Sequence, residues 1–122
     1  MKIAISLEEN KGLESKASTI FGRCPHFMLI ETDSMAFEIK ENPARQATGG
    51  AGIQAAQFIL DEGAQAVISG NLGPKAFSVL SAGGIAAYQH NGGSAQEVLK
   101  AQQTDTLECL IAPSADAHSG NK

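Results

Sequence analysis

The sequence predicts a single α/β domain with a mixed five-stranded sheet and the element order β-β-β-α-β-α-β-α. The first part of the chain holds three short runs of strand length. The second part alternates helical spacing with buried strand-like runs, and glycine-rich turns separate these elements. At 122 residues the chain has the size of one domain. We assign residues 1–112 to this domain and expect residues 113–122 to be a mobile tail.

The three predicted strands at the start form a meander. Ile3 and Ile5 lie in an apolar run that is typical of a buried strand, and residues 27–31 form a second such run. Residues 35–40 alternate apolar and polar side chains, which indicates a half-solvated strand paired with the run before it. The remaining predicted elements are a helix over 53–62 ended by Gly63, a strand over 66–69, a helix over 76–82, a strand over 85–88 and a helix capped by Ser94.

This element order gathers four loops at one end of the sheet. If the fourth and fifth strands run parallel to the first, loops 7–25, 42–52, 70–74 and 89–93 meet at the same rim. Ligands of open α/β sheets bind outside the carboxyl ends of the strands. The sequence therefore predicts one site, at this rim.

Composition narrows the class of protein. The net charge is −4 without a basic block, so we expect no nucleic-acid partner and no membrane partner. We read no secretory signal and no apolar run of membrane-spanning length, which favours the cytoplasm. The two cysteines indicate reduced thiols, and Cys109 in its apolar stretch is expected to be a small core residue.

The segment from Phe21 to His26 holds candidate ligands. Arg23 offers a planar cation for an anionic group. Cys24 offers a soft metal ligand whose thiolate Arg23 would favour, and His26 offers a nitrogen ligand. His90 lies past the fifth strand and is a third candidate metal ligand. The alternatives are a surface turn with an inert cysteine and a solvated loop histidine.

Two glycine-rich loops each lead into a helix. Residues 49–52 and residues 70–74 offer free N–H groups at a helix start, which attract anions, and Asn71 could bond a ligand. Neither loop is a P-loop or a dinucleotide-binding motif, and tight turns that need glycine are the alternative. No catalytic triad, paired cysteine motif or carboxylate centre is recognisable. We therefore expect that the protein is not an enzyme.

These segments together resemble the dinitrogenase iron–molybdenum cofactor biosynthesis domain proteins. The resemblance covers most of residues 1–100 and rests on the opening strand, on Phe21-Gly22-Arg23, and on the two glycine loops with the helices that follow. It implies a ribonuclease H-like, three-layer α/β/α fold. By this resemblance the cofactor-binding residues would be Gly22, Arg23, Gly50, Gly52, Gly70, Asn71 and Gly73. The family usually has a histidine before Phe-Gly-Arg, and Ile20 stands there instead.

The resemblance implies a carrier function in a family related to nitrogen fixation, and Ile20 in place of the histidine favours a small non-nitrogenase iron–sulfur or metal-sulfide carrier over a true nitrogenase cofactor protein. We expect transient binding of an iron–sulfur or iron–molybdenum–sulfur cluster, or its precursor, in cofactor biosynthesis. Metallocluster donor and acceptor proteins would be the partners, and the chain would be a monomer or a weak homo-oligomer. The alternatives are a small-anion or nucleotide sensor that uses the same rim, and a protein-interaction module without a cluster.

Overall fold

A computed structural model describes residues 1–114 as a six-stranded sheet with three helices. Residues 115–122, which fall in the tail predicted to be mobile, lie outside the described residues. The strands are β1 (Lys2–Leu7), β2 (His26–Glu31), β3 (Phe37–Glu41), β4 (Ala66–Ser69), β5 (Ala86–Gln89) and β6 (Glu108–Cys109). The helices are α1 (Ala51–Asp61), α2 (Pro74–Ala82) and α3 (Ala95–Gln103).

The sheet is mixed, with the spatial order β3-β2-β1-β4-β5-β6. β1 runs parallel to β4, and β4 runs parallel to β5. β2 is antiparallel to both β1 and β3, so β3 has the same direction as β1. The carboxyl ends of β1, β3, β4 and β5 therefore point the same way. This confirms the predicted meeting of four loops, and we call this end of the sheet the rim.

Two apolar clusters hold the layers together, one on each face of the sheet. Phe27 and Leu29 of β2 pack with α1 and α2 on one face. Met28 and Ile30, at the alternate positions of the same strand, pack with α3 on the other face. Burying each such side chain contributes ~1.5–3 kcal/mol. Alternation along the strands thus produces the three-layer α/β/α arrangement.

The sheet has six strands, so the predicted count of five is wrong. The additional strand, β6, is two residues long and pairs with the end of β5, with Cys109 opposite Tyr88. It lies at the edge of the sheet, and Cys109 is exposed there. The prediction of Cys109 as a core residue is therefore wrong as well. A neighbouring apolar run indicates burial only if another layer covers the strand, and β6 has no such cover for this side chain.

Local sequence signals determine where several helices and strands begin or end. Gly63 takes a positive φ of 78° after the last turn of α1, as the predicted C′ position requires. Ser94 caps α3 and forms a capping box with Glu97, which confirms the predicted cap. β3 begins at Phe37 rather than at residue 35, because Met35 has a φ of 63° and completes the turn from β2. α1 begins two residues before its predicted start.

The last described residues return to the rim. The Leu110 N–H donates to the Ala87 carbonyl beside β6. Further along, the Ser114 N–H donates to the Leu72 carbonyl, and the Leu72 N–H donates to Ser114 Oγ at 2.8 Å. Between residues 1 and 114, none of the helices has the length and apolar character needed to cross a membrane.

Candidate functional site

The loop between β1 and β2 crosses the carboxyl ends of the central strands. The Ser18 N–H donates to the Ser6 carbonyl in β1 at 2.8 Å. One residue later, the Thr19 carbonyl accepts from the Asn71 N–H, just past β4, at 2.9 Å. The crossing fills the space above β1 and β4. It delivers the following residues to the side of the rim where α1 and α2 begin.

A buried asparagine shapes the turn that follows. The amide Nδ2 of Asn42 donates to the carbonyls of Gly22 and Cys24, both at 2.9 Å. Its Oδ1 accepts from the Ala44 N–H at 2.9 Å, which forms an Asx turn. Asn42 therefore joins the turn over 21–25 to the loop over 42–50. Local sequence patterns indicate only that a strand ends at Asn42. The Asn-Pro pair was the signal that could have revealed this role.

Arg23 is the exposed cation of this turn. Its Nη1 donates to the Ala47 carbonyl at 2.7 Å, which draws the guanidinium over the loop over 42–50. The group has no ion pair with any residue in the described part of the chain. Its remaining N–H groups are therefore available to an anion at the rim.

Two helix starts face the same part of the rim. α1 follows Gly50, which has a φ of 68°, and α2 follows Gly73 with Pro74 at its first position. No side chain caps either start, and the first turn of each helix contains no acidic residue. In α3, by contrast, the capping box of Ser94 satisfies the N–H groups internally. The first-turn N–H groups of α1, and those that follow Pro74 in α2, are thus left for solvent or an anionic ligand, whereas Pro74 itself has no N–H.

Three predicted site glycines lie in close packing contacts, and at Gly22 and Gly70 there is no room for a Cβ. A Cβ on Gly22 would lie 2.9 Å from the Gly52 nitrogen, and one on Gly52 would lie 3.3 Å from the Ala76 Cβ. A Cβ on Gly70 would overlap the backbone of Thr19. These glycines bring the turn over 21–25, both helix starts and the crossing loop into contact. Gly50 remains open to solvent beside them.

Three segments of the rim differ in charge from the rest of the chain, whereas the first half of the loop between β1 and β2, at the same end of the sheet, carries Glu8, Glu9 and Glu14. Residues 19–25, 42–52 and 70–75 contain Arg23, Arg45 and Lys75 but no carboxylate. The whole chain has 13 acidic and 9 basic residues, so its net charge is −4. The segments that surround the two uncapped helix starts are therefore the part of this acidic molecule best suited to an anion.

Cys24 does not reach the rim surface. Its side chain is fully buried in the cluster under α1, and its Sγ donates to the His26 carbonyl at 3.4 Å. Burial raises the pKa of the Cys24 thiol to about 12. The expectation that Arg23 favours the thiolate is therefore wrong. The alternative of an inert cysteine describes this residue.

The two histidines are not brought together with Cys24. His26 begins β2 at a position that alternation places on the face of α3, opposite Cys24. His90 is buried, with Nε2 2.8 Å from the Ser18 carbonyl and Nδ1 accepting from the Gly92 N–H at 2.9 Å. Both of its nitrogens are thus engaged. Among residues 1–114, no group of three or more His, Cys, Asp or Glu could hold a metal ion, so the three candidate ligands do not form a shared metal site.

The fold and this rim define a small three-layer α/β/α domain with an anion-favouring site made of main chain and arginine. The family model described as dinitrogenase iron-molybdenum cofactor matches residues 1–105. The chain therefore belongs to the dinitrogenase iron–molybdenum cofactor family. The sequence resemblance is confirmed by this match.

Relatives with sequence and structure similarity support the same family. An uncharacterized protein of Methanocaldococcus jannaschii is 39% identical over 103 residues, which cover 82% of this chain and 83% of that protein. The apo form of the orange protein from Desulfovibrio gigas superimposes with a TM-score of 0.87 at 31% identity, covering 92% of this chain and 94% of that one. A NifB-like protein from Thermotoga gives a TM-score of 0.78 at 32% identity, covering 91% and 94%.

Proposed function

We propose that this protein binds an anionic metal–sulfur cluster, of the iron–molybdenum or iron–sulfur type, or a precursor of it. The site is the rim over residues 19–25, 42–52 and 70–75. One observation carries the proposal: three segments without a carboxylate surround two uncapped helix starts and the guanidinium of Arg23. The family's relation to the iron–molybdenum cofactor supplies the chemical class of the ligand.

The ligand would be held by N–H groups rather than by side-chain bonds to a metal. The Cys24 thiol is buried and protonated, and both nitrogens of His90 are engaged. Main-chain N–H groups and a guanidinium hydrogen-bond the sulfur or oxygen atoms on the surface of an anion. Hydrogen bonds to a charged group contribute roughly 1.5–3 kcal/mol each. Several such hydrogen bonds together would bind the cluster with useful affinity and would still permit its release.

Such a site suits a carrier in cofactor biosynthesis. A carrier must accept its cargo from one protein and pass it to another, so we propose cluster donor and acceptor proteins as partners and no catalysis by the chain itself. The orange protein from D. gigas, to which this chain is similar, was solved in its apo form. The similarity to a NifB-like protein supports a role in cofactor biosynthesis.

Retention of a cluster tests the proposal directly. The anaerobically purified protein is incubated with tetrathiomolybdate, or with ferrous iron and sulfide, and desalted. Molybdenum, iron, sulfide and the absorption spectrum are then measured. We expect stoichiometric retention from at least one source and a loss of affinity of about tenfold in Arg23→Gln, since one charge-assisted hydrogen bond is removed.

The matched control is Lys100→Gln. Lys100 is an exposed cation in the last turn of α3, on the opposite face of the sheet, and this variant should retain as much probe as the wild type. Retention that is absent from every source, or equal in the Arg23 and Lys100 variants, would contradict the proposal.

A small-anion or nucleotide sensor is the second candidate function. The observation that favours it is that uncapped helix starts bind phosphate as readily as other anions. It predicts that a phosphate compound raises the melting temperature, whereas tetrathiomolybdate and iron with sulfide are not retained.

A further inference from the structure

The hydrogen bonds of His90 define its protonation state. Its Nε2 lies 2.8 Å from the Ser18 carbonyl, which can only accept, so Nε2 carries the proton. Its Nδ1 lies 2.9 Å from the Gly92 N–H, which can only donate, so Nδ1 is bare. The imidazole is therefore the neutral Nε2–H tautomer. It is 4% exposed and has no group left for a ligand.

Ser18 is the residue through which His90 reaches the rim. The Ser18 N–H is bonded to the Ser6 carbonyl, and Ser18 Oγ accepts from the Ile20 N–H at 3.2 Å. Ser18 Oγ also donates to a carboxylate oxygen of Glu8. Ser18 is thus held by contacts with β1, and its carbonyl has two neighbours. It accepts from the Nε2–H of His90, just past β5, at 2.8 Å, and Ser6 Oγ of β1 lies 3.2 Å from it. The next residues lead directly into Phe21-Gly22-Arg23.

We propose that His90 is a positioning residue for the anion site and not a ligand. By holding the Ser18 carbonyl, the Nε2–H fixes the path of residues 18–23 over the strand ends, and with it the place of Arg23. This role rests on the proposed function, because it concerns the same site. It joins the end of β5, which does not contribute to the site itself, to the turn that presents the guanidinium.

Two amide variants of His90 distinguish a residue that positions the Ser18 carbonyl from one that only fills space in the core. In His90→Gln, the side-chain amide nitrogen falls near the place of Nε2 and can still donate to the Ser18 carbonyl. In His90→Asn, the shorter side chain places its oxygen near Nδ1, where it can accept from the Gly92 N–H, but it cannot reach Ser18. Both variants replace the imidazole with a neutral amide, so each serves as the control for the other.

The experiment measures tetrathiomolybdate affinity, melting temperature and amide hydrogen exchange at residues 20–23. We expect His90→Asn to lose about tenfold in affinity and to exchange faster at these amides, whereas His90→Gln stays within about threefold of the wild type. Equal affinities in both variants, or losses that only follow their melting temperatures, would overturn the proposal.

Two readouts remain decisive if the wild type does not retain the probe. That result contradicts the proposed function, and the exchange rates at residues 20–23 then test positioning alone. The nitrogen chemical shifts of the imidazole in the wild type give the tautomer. A proton on Nε2 supports the inference, and a proton on Nδ1 overturns it.

Discussion

Cys24 and Arg23 are neighbours in the sequence, but they have opposite environments. The guanidinium is exposed and bonded to the Ala47 carbonyl, whereas the thiol is buried beside Phe21 and Phe27. The rings of these two phenylalanines lie 5.4 Å apart, centre to centre, and anchor the turn to the core. The turn therefore exposes the guanidinium of Arg23 and buries the thiol of Cys24.

Thiol labelling tests the burial of Cys24. With a pKa of about 12, the Cys24 thiol has almost no thiolate at pH 8 and is shielded by the core. We expect a disulfide reagent to modify one thiol per native chain quickly, at the exposed Cys109, and the second only after unfolding. In Cys109→Ala the fast reaction should be absent. A fast reaction that persists in that variant would show that Cys24 is accessible.

The sequence identified the residue types of the site better than their roles. Arg23 and the two glycine loops were predicted to lie at one rim, and the structure places them there. The roles of Cys24 and His90 could not be predicted, because a thiol or an imidazole near a turn looks the same whether it faces ligand or core. Which it faces depends on contacts with distant residues, such as Ser18 for His90.

At the scale of elements, the loop between β1 and β2 is held by contacts that no local pattern shows. It crosses the end of β4 so closely that Gly70 has no room for a Cβ against Thr19. The same place is pinned by the hydrogen bond from the Asn71 N–H to the Thr19 carbonyl. Gly70, which was predicted to line the ligand site, is thus also needed for the packing of this loop against the end of β4.

Substitution of Gly70 should therefore destabilise the fold. Gly70→Ala forces its methyl group into the backbone at Thr19, and overpacking of this kind typically costs ~1–3 kcal/mol. Gly49→Ala is the matched control, because a Cβ there meets no atom within 4 Å. The free energy of unfolding in urea should fall in the first variant and stay near the wild-type value in the second. Equal stabilities would show that the loop does not cross as described.

The element order could be predicted because alternation and helical spacing are local signals. All eight predicted elements are present, and the rim follows from the directions of their strands. β6 could not be predicted, since two residues form a strand only through pairing with Tyr88 and Gln89 of β5. The start of α1 was also missed, because helical spacing becomes visible only after the glycines that open the helix.

At the scale of the whole molecule, charge is distributed unevenly. Three rim segments carry Arg23, Arg45 and Lys75 without a carboxylate, in a chain whose net charge is −4. Some carboxylates elsewhere have local partners, such as Glu62 at the end of α1, which is 2.9 Å from Lys40 Nζ of β3. The resulting field would draw an anion to the rim and discourage it from the other faces.

Ionic strength should therefore control capture of an anionic ligand. The Debye length falls to ~10 Å at 0.1 M salt, so exposed cations that do not touch the ligand lose their effect as salt is added. We expect tetrathiomolybdate affinity to decrease with salt, and Lys75→Gln to weaken binding by roughly two- to fivefold at low salt and hardly at all at 0.5 M.

Titrations of the wild type, Lys75→Gln and Lys100→Gln over this range of salt measure the effect. Lys100 has the same charge and lies on α3, on the other face of the sheet, so its removal should leave the salt dependence unchanged. If the Lys75 and Lys100 variants respond alike, only net charge matters, and the uneven distribution at the rim has no part in capture. If Lys75→Gln alone flattens the salt dependence, the cations at the rim act as a local attractor for the anion.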